Sequence, residues 1–402
     1  MTATKAHAIS SIRLGRAPNC SSLGNLVNTL VWSQAAVAAV WVAAEAWKAR
    51  RIRPEPGGGR TIAVDEPPAL VRTGEKTGAP HEAHVQVTSA CPLPCANCHV
   101  EASKSGSHVP LADVAERFEV LANEGVFHVA IGGGEALGHP DLPGIAQAAH
   151  AAGLTIGLTT SGVGDLSKIQ GFDQVNVSYD GGGHTFTHAR GYAGAPAALT
   201  AIRTLVARGL TVGVNILVTR SSFTQLETTI SEVVGAGVRD IHLLRLKPAG
   251  RALRDYEQER MSMEQGTELW PKLQSWLAMF PEVNFRVDCA LTPFIAAHGV
   301  NAERMRQFGW LGCHGGDALV AVHPDSRRTP CSFSSEKLDD LAVARWRIGV
   351  QAEPCGSCGY RELCRGGCHA VAGVVSGESF APDPECPLVL AAAFGRAEHH
   401  AG

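Results

Sequence analysis

From residue 84 onward the chain alternates between short apolar runs and helical patterns. His84–Thr88 reads as a first strand, and Pro110 to Gly125 reads as a helix that puts Leu111, Val114, Phe118 and Leu121 on one face. Further strands are predicted at Val126–Ile131, Leu154–Thr159, Asp173–Ser178, Leu210–Val218 and Asp240–Leu246, with helices around 142–152, 195–208 and 223–236 between them. Strands that alternate with helices in this way form a parallel sheet covered by helices. Six such units make an incomplete barrel, in which chemistry gathers on the loops at the C-terminal ends of the strands.

The flanks read differently. Residues 1–80 form an accessory region, with an apolar stretch from Leu26 to Ala44 and then glycine- and proline-rich punctuation. Asn28, Ser33 and Gln34 interrupt that stretch, which is at the short end for a membrane span. A helix packed on the protein body or on a partner is therefore expected rather than membrane contact. A signal peptide would imply an oxidising destination, which the cysteine chemistry below opposes. After Glu259 a helix-rich bridge runs to about residue 282, followed by a short strand, Asn284–Val287. From Cys313 the chain is loop-rich, with too little regular apolar pattern to hold itself together unless metal ligation stabilises it. The resulting division is 1–80, 81–258, 259–308 and 309–402. A formal net charge of −3 over 402 residues gives no footprint for nucleic acid.

Ten of the twelve cysteines fall into two runs. The first is Cys91, Cys95 and Cys98; the second is Cys313, Cys331, Cys355, Cys358, Cys364, Cys368 and Cys386. Cys20 and Cys289 stand apart. Clustered cysteines in a chain of this length favour metal in a reducing compartment over disulfides, so a cytoplasmic location is expected. Three sulfurs in the first run leave one corner of a [4Fe–4S] cluster for something other than protein. The alternative is a zinc site completed by His99 or His108, and for the second run a zinc ribbon on Cys355, Cys358, Cys364 and Cys368.

Cys-x3-Cys-x2-Cys after a strand resembles the radical S-adenosylmethionine (radical SAM) enzymes. The second run resembles the seven-cysteine SPASM extension found in peptide-modifying members of that superfamily. The resemblance covers roughly residues 83–390. The fold it implies is α/β: a partial (β/α)6 TIM-like barrel with a C-terminal loop-rich iron–sulfur (SPASM) domain. It implies a [4Fe–4S] cluster on Cys91, Cys95 and Cys98 that binds S-adenosyl-L-methionine, and two auxiliary [4Fe–4S] clusters. One of these would sit on Cys355, Cys358, Cys364 and Cys386. The other would take Cys313, Cys331 and Cys368, with its fourth position open, filled by Cys289, or filled by a substrate group.

Several loops resemble the superfamily's cofactor cradle. Gly133, Gly134 and Glu135 match the Gly-Gly-Glu motif for the methionine amino group, and Ser178 and Asp180 match a Ser-x-Asp-Gly stretch. Ser161, Asn215 and Arg245 would also face the cofactor. Turn chemistry competes for Asp180, and an ordinary ion pair competes for Arg245. Asn97 departs from an aromatic residue common before the third cysteine, and Ser326 stands where a glycine is usual. No general base is identified; His184, His188 and His314 are available. The implied activity is oxidative crosslinking or epimerisation of a ribosomal precursor peptide, supported by an electron donor such as flavodoxin or ferredoxin. Alternatives are a sulfatase-type or small-molecule SPASM enzyme, and a non-enzymatic iron–sulfur or zinc protein.

Overall fold

A computed structural model describes residues 80–399. The apolar stretch Leu26–Ala44 and Cys20 lie outside the described residues. Among the described residues no helix is long and apolar enough to cross a membrane.

Among the described residues nine strands form one sheet: β1 (Glu82–Thr88), β2 (His128–Gly133), β3 (Thr155–Thr160), β4 (Gln174–Ser178), β5 (Val212–Val218), β6 (Asp240–Arg245), β7 (Asn284–Val287), β8 (Leu319–Val322) and β9 (Arg328–Thr329). Their order is β7-β6-β5-β4-β3-β2-β1-β8-β9. Every pairing is parallel except β8 with β9. The sheet ends in two edges and does not close, which is the partial barrel expected from six βα units. Two features go beyond the local pattern. Asn284–Val287 extends the parallel run beside β6. The cysteine-rich segment, read as loop, contributes β8 beside β1.

Alternation along the strands divides the sheet into two faces. Val85, Val87, Val129, Ile131, Ile156, Leu158, Val175, Val177, Val214, Ile216, Ile241 and Leu243 are all buried in the main core. Helices such as Leu111–Asn123 cover this face, bringing Val114, Phe118 and Leu121 inward. The alternate positions are mostly polar or small, as at Gln86, Gly132, Thr159, Asn176, Asn215 and His242, with Leu217 and Leu244 as apolar exceptions. Ser178, Asn215 and His242 lie in one row across β4, β5 and β6. The face away from the helices is thus lined largely by polar side chains, some of them bonded to one another, as Asn176 is to Gln174 and Arg286.

Candidate active site

The loop after β1 carries Cys91, Cys95 and Cys98 and is held from three sides. Cys91 N donates to Ser103 O at 2.8 Å, which closes the loop on itself. From the helix Gly183–Arg190, Arg190 O accepts from Ala96 N at 3.2 Å, and Ala189 O accepts from the Asn97 side-chain amide at 2.9 Å. Asn97, the departure noted in the sequence, therefore ties the cysteine loop to the β4 loop. From beyond β6, Arg251 donates Nε to Cys95 O at 2.8 Å and Nη1 to Ala102 O at 2.9 Å. Arg251 N also donates to Cys98 O at 2.9 Å. Gly250 (φ +55°) lies so close that an added Cβ would fall 2.5 Å from Cys98 O. Sequence reasoning missed Gly250 and Arg251, because local pattern does not reveal a partner about 150 residues away.

The Gly-Gly-Glu loop lies directly against this one. Gly134 N donates to Thr88 O at 2.7 Å, and Glu135 N donates to Ala90 O at 2.9 Å. A Cβ on Gly133 (φ +111°) would sit 2.2 Å from Thr88 O, and one on Gly134 2.1 Å from Ala90 O. Both glycines are thus required by close backbone approach. Replacing Gly134 with alanine should push the chain leading into Cys91 aside. The expected cost is about 1–3 kcal/mol, read as a lower denaturation midpoint and weaker iron retention at Cys91, Cys95 and Cys98.

Glu135 is buried and its carboxylate is saturated. Oε1 accepts from Leu137 N at 3.0 Å and Thr160 Oγ1 at 2.6 Å; Oε2 accepts from Ser161 N at 2.8 Å and Ser161 Oγ at 2.5 Å. Four donors fill what a carboxylate offers. Glu135 therefore locks the loops after β2 and β3 together, and Ser161 is one of its partners. Asp180 is similarly committed, with Oδ2 accepting from Arg190 Nε at 2.5 Å and Oδ1 from Leu217 N at 2.8 Å. Asn215 differs: its Oδ1 is buried and has no partner, as has Gln86 Nε2. Asn215 lies beside Ser178 in the row, and an unpartnered polar atom there is what a polar ligand would satisfy.

The Arg190 guanidinium also bears on the Cys95 thiol through its charge. Burial raises the Cys95 pKa and the Arg190 guanidinium opposes it, with burial prevailing. Burial likewise raises that of Cys91, with the neighbouring cysteines and Glu135 adding to it. The two histidines that a zinc site would recruit are engaged elsewhere. The His99 ring packs 4.6 Å from the Phe333 ring, and His108 Nδ1 bonds Thr88 Oγ1 at 2.9 Å.

Arg245 does not join this site. Its guanidinium donates to Asp383 Oδ2 at 2.6 Å, Asp383 Oδ1 at 3.0 Å and Ala290 O at 3.0 Å, and pairs with Glu385 Oε2 at 2.9 Å. Asp383 Oδ2 also accepts from Cys368 N at 2.9 Å. Arg245 thus anchors the C-terminal cysteine segment.

In that segment Cys355, Cys358, Cys364 and Cys386 line one cavity with about 410 Å³ of space free of protein atoms, partly open to solvent. Pro293, Ala296, Leu388 and Val389 complete its apolar wall. Among the described residues no three His, Cys, Asp or Glu side chains converge tightly enough for a single metal ion. Burial pushes the thiols of Cys331 and Cys368 up to about 12. Ser326 adopts φ +66°, the left-handed turn geometry in which a glycine would be unstrained. Of the histidines available as bases, His188 Nε2 bonds Glu259 Oε1 at 2.8 Å, His184 stacks on His188, and burial lowers the pKa of His314 to about 4.

Residues 85–231 match the model of the Radical SAM superfamily. The chain is similar to the PqqA peptide cyclase of Ruegeria pomeroyi, at 26% identity over 77% of this chain and 87% of that one. It is also similar to the pre-heme d1 synthase of Dinoroseobacter shibae, at 27% identity over 76% of this chain and 85% of that one. The solved structure of Streptococcus suis SuiB bound to its precursor peptide SuiA superposes with a TM-score of 0.64, covering 88% of this chain and 89% of that one at 14% identity. This last likeness establishes the fold. Residues 85–231 therefore carry a radical SAM domain, and the chain is an enzyme.

Proposed function

We propose that this enzyme is a maturase that modifies a ribosomally made precursor peptide, by oxidative crosslinking or by redox-neutral epimerisation. Cys91, Cys95 and Cys98 would hold the [4Fe–4S] cluster of the domain. Once reduced, that cluster and its bound S-adenosyl-L-methionine supply a carbon-centred radical able to take a hydrogen atom from a substrate. The observation that carries the reading is the trio of thiols on one clamped loop, with His99 and His108 turned to other partners. A structural zinc site would need a fourth ligand there.

The chain's own residues bind and orient. Gly133 and Gly134, lacking a Cβ, let their loop lie against Thr88 O and Ala90 O and so seat it beside the cysteine loop. Glu135, with its carboxylate consumed, fixes the two loops rather than meeting an ammonium directly. Ser178 and Asn215, in one row on the polar face, would receive the carboxylate and ribose of the cofactor. Asp180 holds Arg190, and so keeps a cation beside Cys95.

The second cysteine run would hold two auxiliary clusters. Four cysteines around a cavity suit a four-iron cube better than one zinc ion, whose ligands must lie about 2.3 Å from a single point. Such clusters suit a reaction that leaves a surplus electron, to be passed to a carrier of the flavodoxin or ferredoxin class. The peptide reading draws on the peptide cyclase relative and on the SuiB complex with its precursor. A second reading, a small-molecule substrate, is favoured by the pre-heme d1 synthase relative.

One experiment tests the proposal. Anaerobically reconstituted protein is expected to hold about 12 iron atoms and to cleave S-adenosyl-L-methionine when reduced. Co-expression with a short peptide encoded beside it should give a peptide lighter by two hydrogen atoms, or of unchanged mass with an inverted residue. Zinc in place of iron would overturn the cluster assignment. An unmodified peptide together with a consumed small molecule would favour the second reading.

A further inference from the structure

The polar row that begins with Ser178 and Asn215 continues to His242 on β6 and Arg286 on β7. The first two would meet the cofactor; His242 is one strand further on, about 4.8 Å away across the sheet. Its chain neighbours Ile241 and Leu243 are buried in the core, which turns the imidazole to the opposite, polar side. There the charges are paired among themselves. Arg286 binds Asp240 at 2.8 Å, Lys247 pairs with Asp288, and His84 Nε2 lies 3.4 Å from Glu82 Oε1. His242 is the exception. It is half-buried, and among the described residues its ring makes no hydrogen bond. Unlike Asn215 Oδ1, its nitrogens are not sealed from solvent. Burial and the Arg286 cation hold its pKa down to about 3; Asp288 and Glu82 oppose them, and Lys247 adds to the lowering. The ring is therefore uncharged at neutral pH.

We propose that His242 is a substrate-recognition residue, whose imidazole meets a backbone amide of the peptide beside the residue being modified. The inference rests on the maturase reading and names a contact of that same site. A neutral imidazole offers one donor and one acceptor, the complement of a peptide amide. A general base would need a pKa near the working pH, and His242 does not have one. Its place suits recognition. Asn215 stands between it and Ser178, so a peptide held by His242 lies one strand away from the residues that would hold the cofactor. A radical formed on the cofactor discriminates only among hydrogens within its reach, so a contact at this distance decides which carbon is presented to it.

The test uses the reconstituted full chain and the short peptide encoded beside it, and reads modified peptide formed per S-adenosyl-L-methionine cleaved. His242→Leu removes both hydrogen-bonding atoms and is expected to lower this ratio about tenfold and to raise the KM for the peptide. His242→Gln keeps a donor and an acceptor and should bring the ratio back to within about threefold of the parent enzyme. Iron content and circular dichroism identify a leucine variant that has simply misfolded, and His242→Ala then takes its place. A ratio within about twofold of the parent in the folded leucine or alanine variant would overturn the inference. So would an equal loss in the glutamine and leucine variants, because shape rather than hydrogen bonding would then be at work. A parent enzyme that cleaves S-adenosyl-L-methionine but leaves the peptide unmodified would overturn the maturase reading, and this inference with it.

Discussion

Cys95→Ala is expected to bring cleavage of S-adenosyl-L-methionine down to that of an enzyme-free control. The argument is one of stoichiometry. Three thiols serve this site, and the nearby histidines are engaged with Phe333 and Thr88, so no side chain stands ready to replace a lost ligand. The loop itself should survive, because it is held by backbone bonds. Arg251 grips the Cys95 carbonyl rather than its sulfur, and Ala96 N and Asn97 bind the β4 loop. The variant should therefore fold, keep the iron of its second run, and lose about four iron atoms. Iron analysis and a 5′-deoxyadenosine assay check this together. Undiminished cleavage would remove Cys95 from the site.

Arg245→Ala should do the opposite, sparing the first loop and damaging the second. The guanidinium is the only cation bonded to Asp383 among the described hydrogen bonds and ion pairs, and it also meets Glu385; both carboxylates are buried. Removing one partner of a buried pair leaves uncompensated charge and costs about 3–5 kcal/mol. The loss should fall on the C-terminal segment, since Asp383 orients Cys368 N and Glu385 adjoins Cys386. The measurement is the denaturation midpoint together with the iron retained after gel filtration. Arg245→Lys restores charge but not the two-pronged geometry, so only partial rescue is expected. An unchanged midpoint and full iron would show that the anchor is dispensable.

These two residues also show what could be read in advance. Cys95 was legible because its ligand spacing is local. So were the strand–helix alternation and the Gly-Gly-Glu loop, whose glycines prove to be required by close approach to Thr88 O and Ala90 O. Arg245 was legible as a charged residue at a strand end, but its partner lies 138 residues away, and no local pattern carries that. The same holds for the grip of Arg251 on the first loop. Glu135 illustrates a subtler limit. Its motif was visible, but the saturation of its carboxylate by Thr160 and Ser161 depends on how two loops meet. β8 escaped notice because four apolar residues among glycines and cysteines have no periodicity to betray them.

The place of β8 has a consequence for how the molecule is made. β1 is the strand that delivers the first cysteines, and its outer flank stays bare until residues 319–322 have left the ribosome. An uncovered strand edge invites pairing with another chain. Until then the seam beside β1 lies unsewn, and the segment that closes it is rich in thiols that, on the proposed reading, await iron. Iron-starved cells should for that reason accumulate this protein as aggregate rather than as soluble apoenzyme.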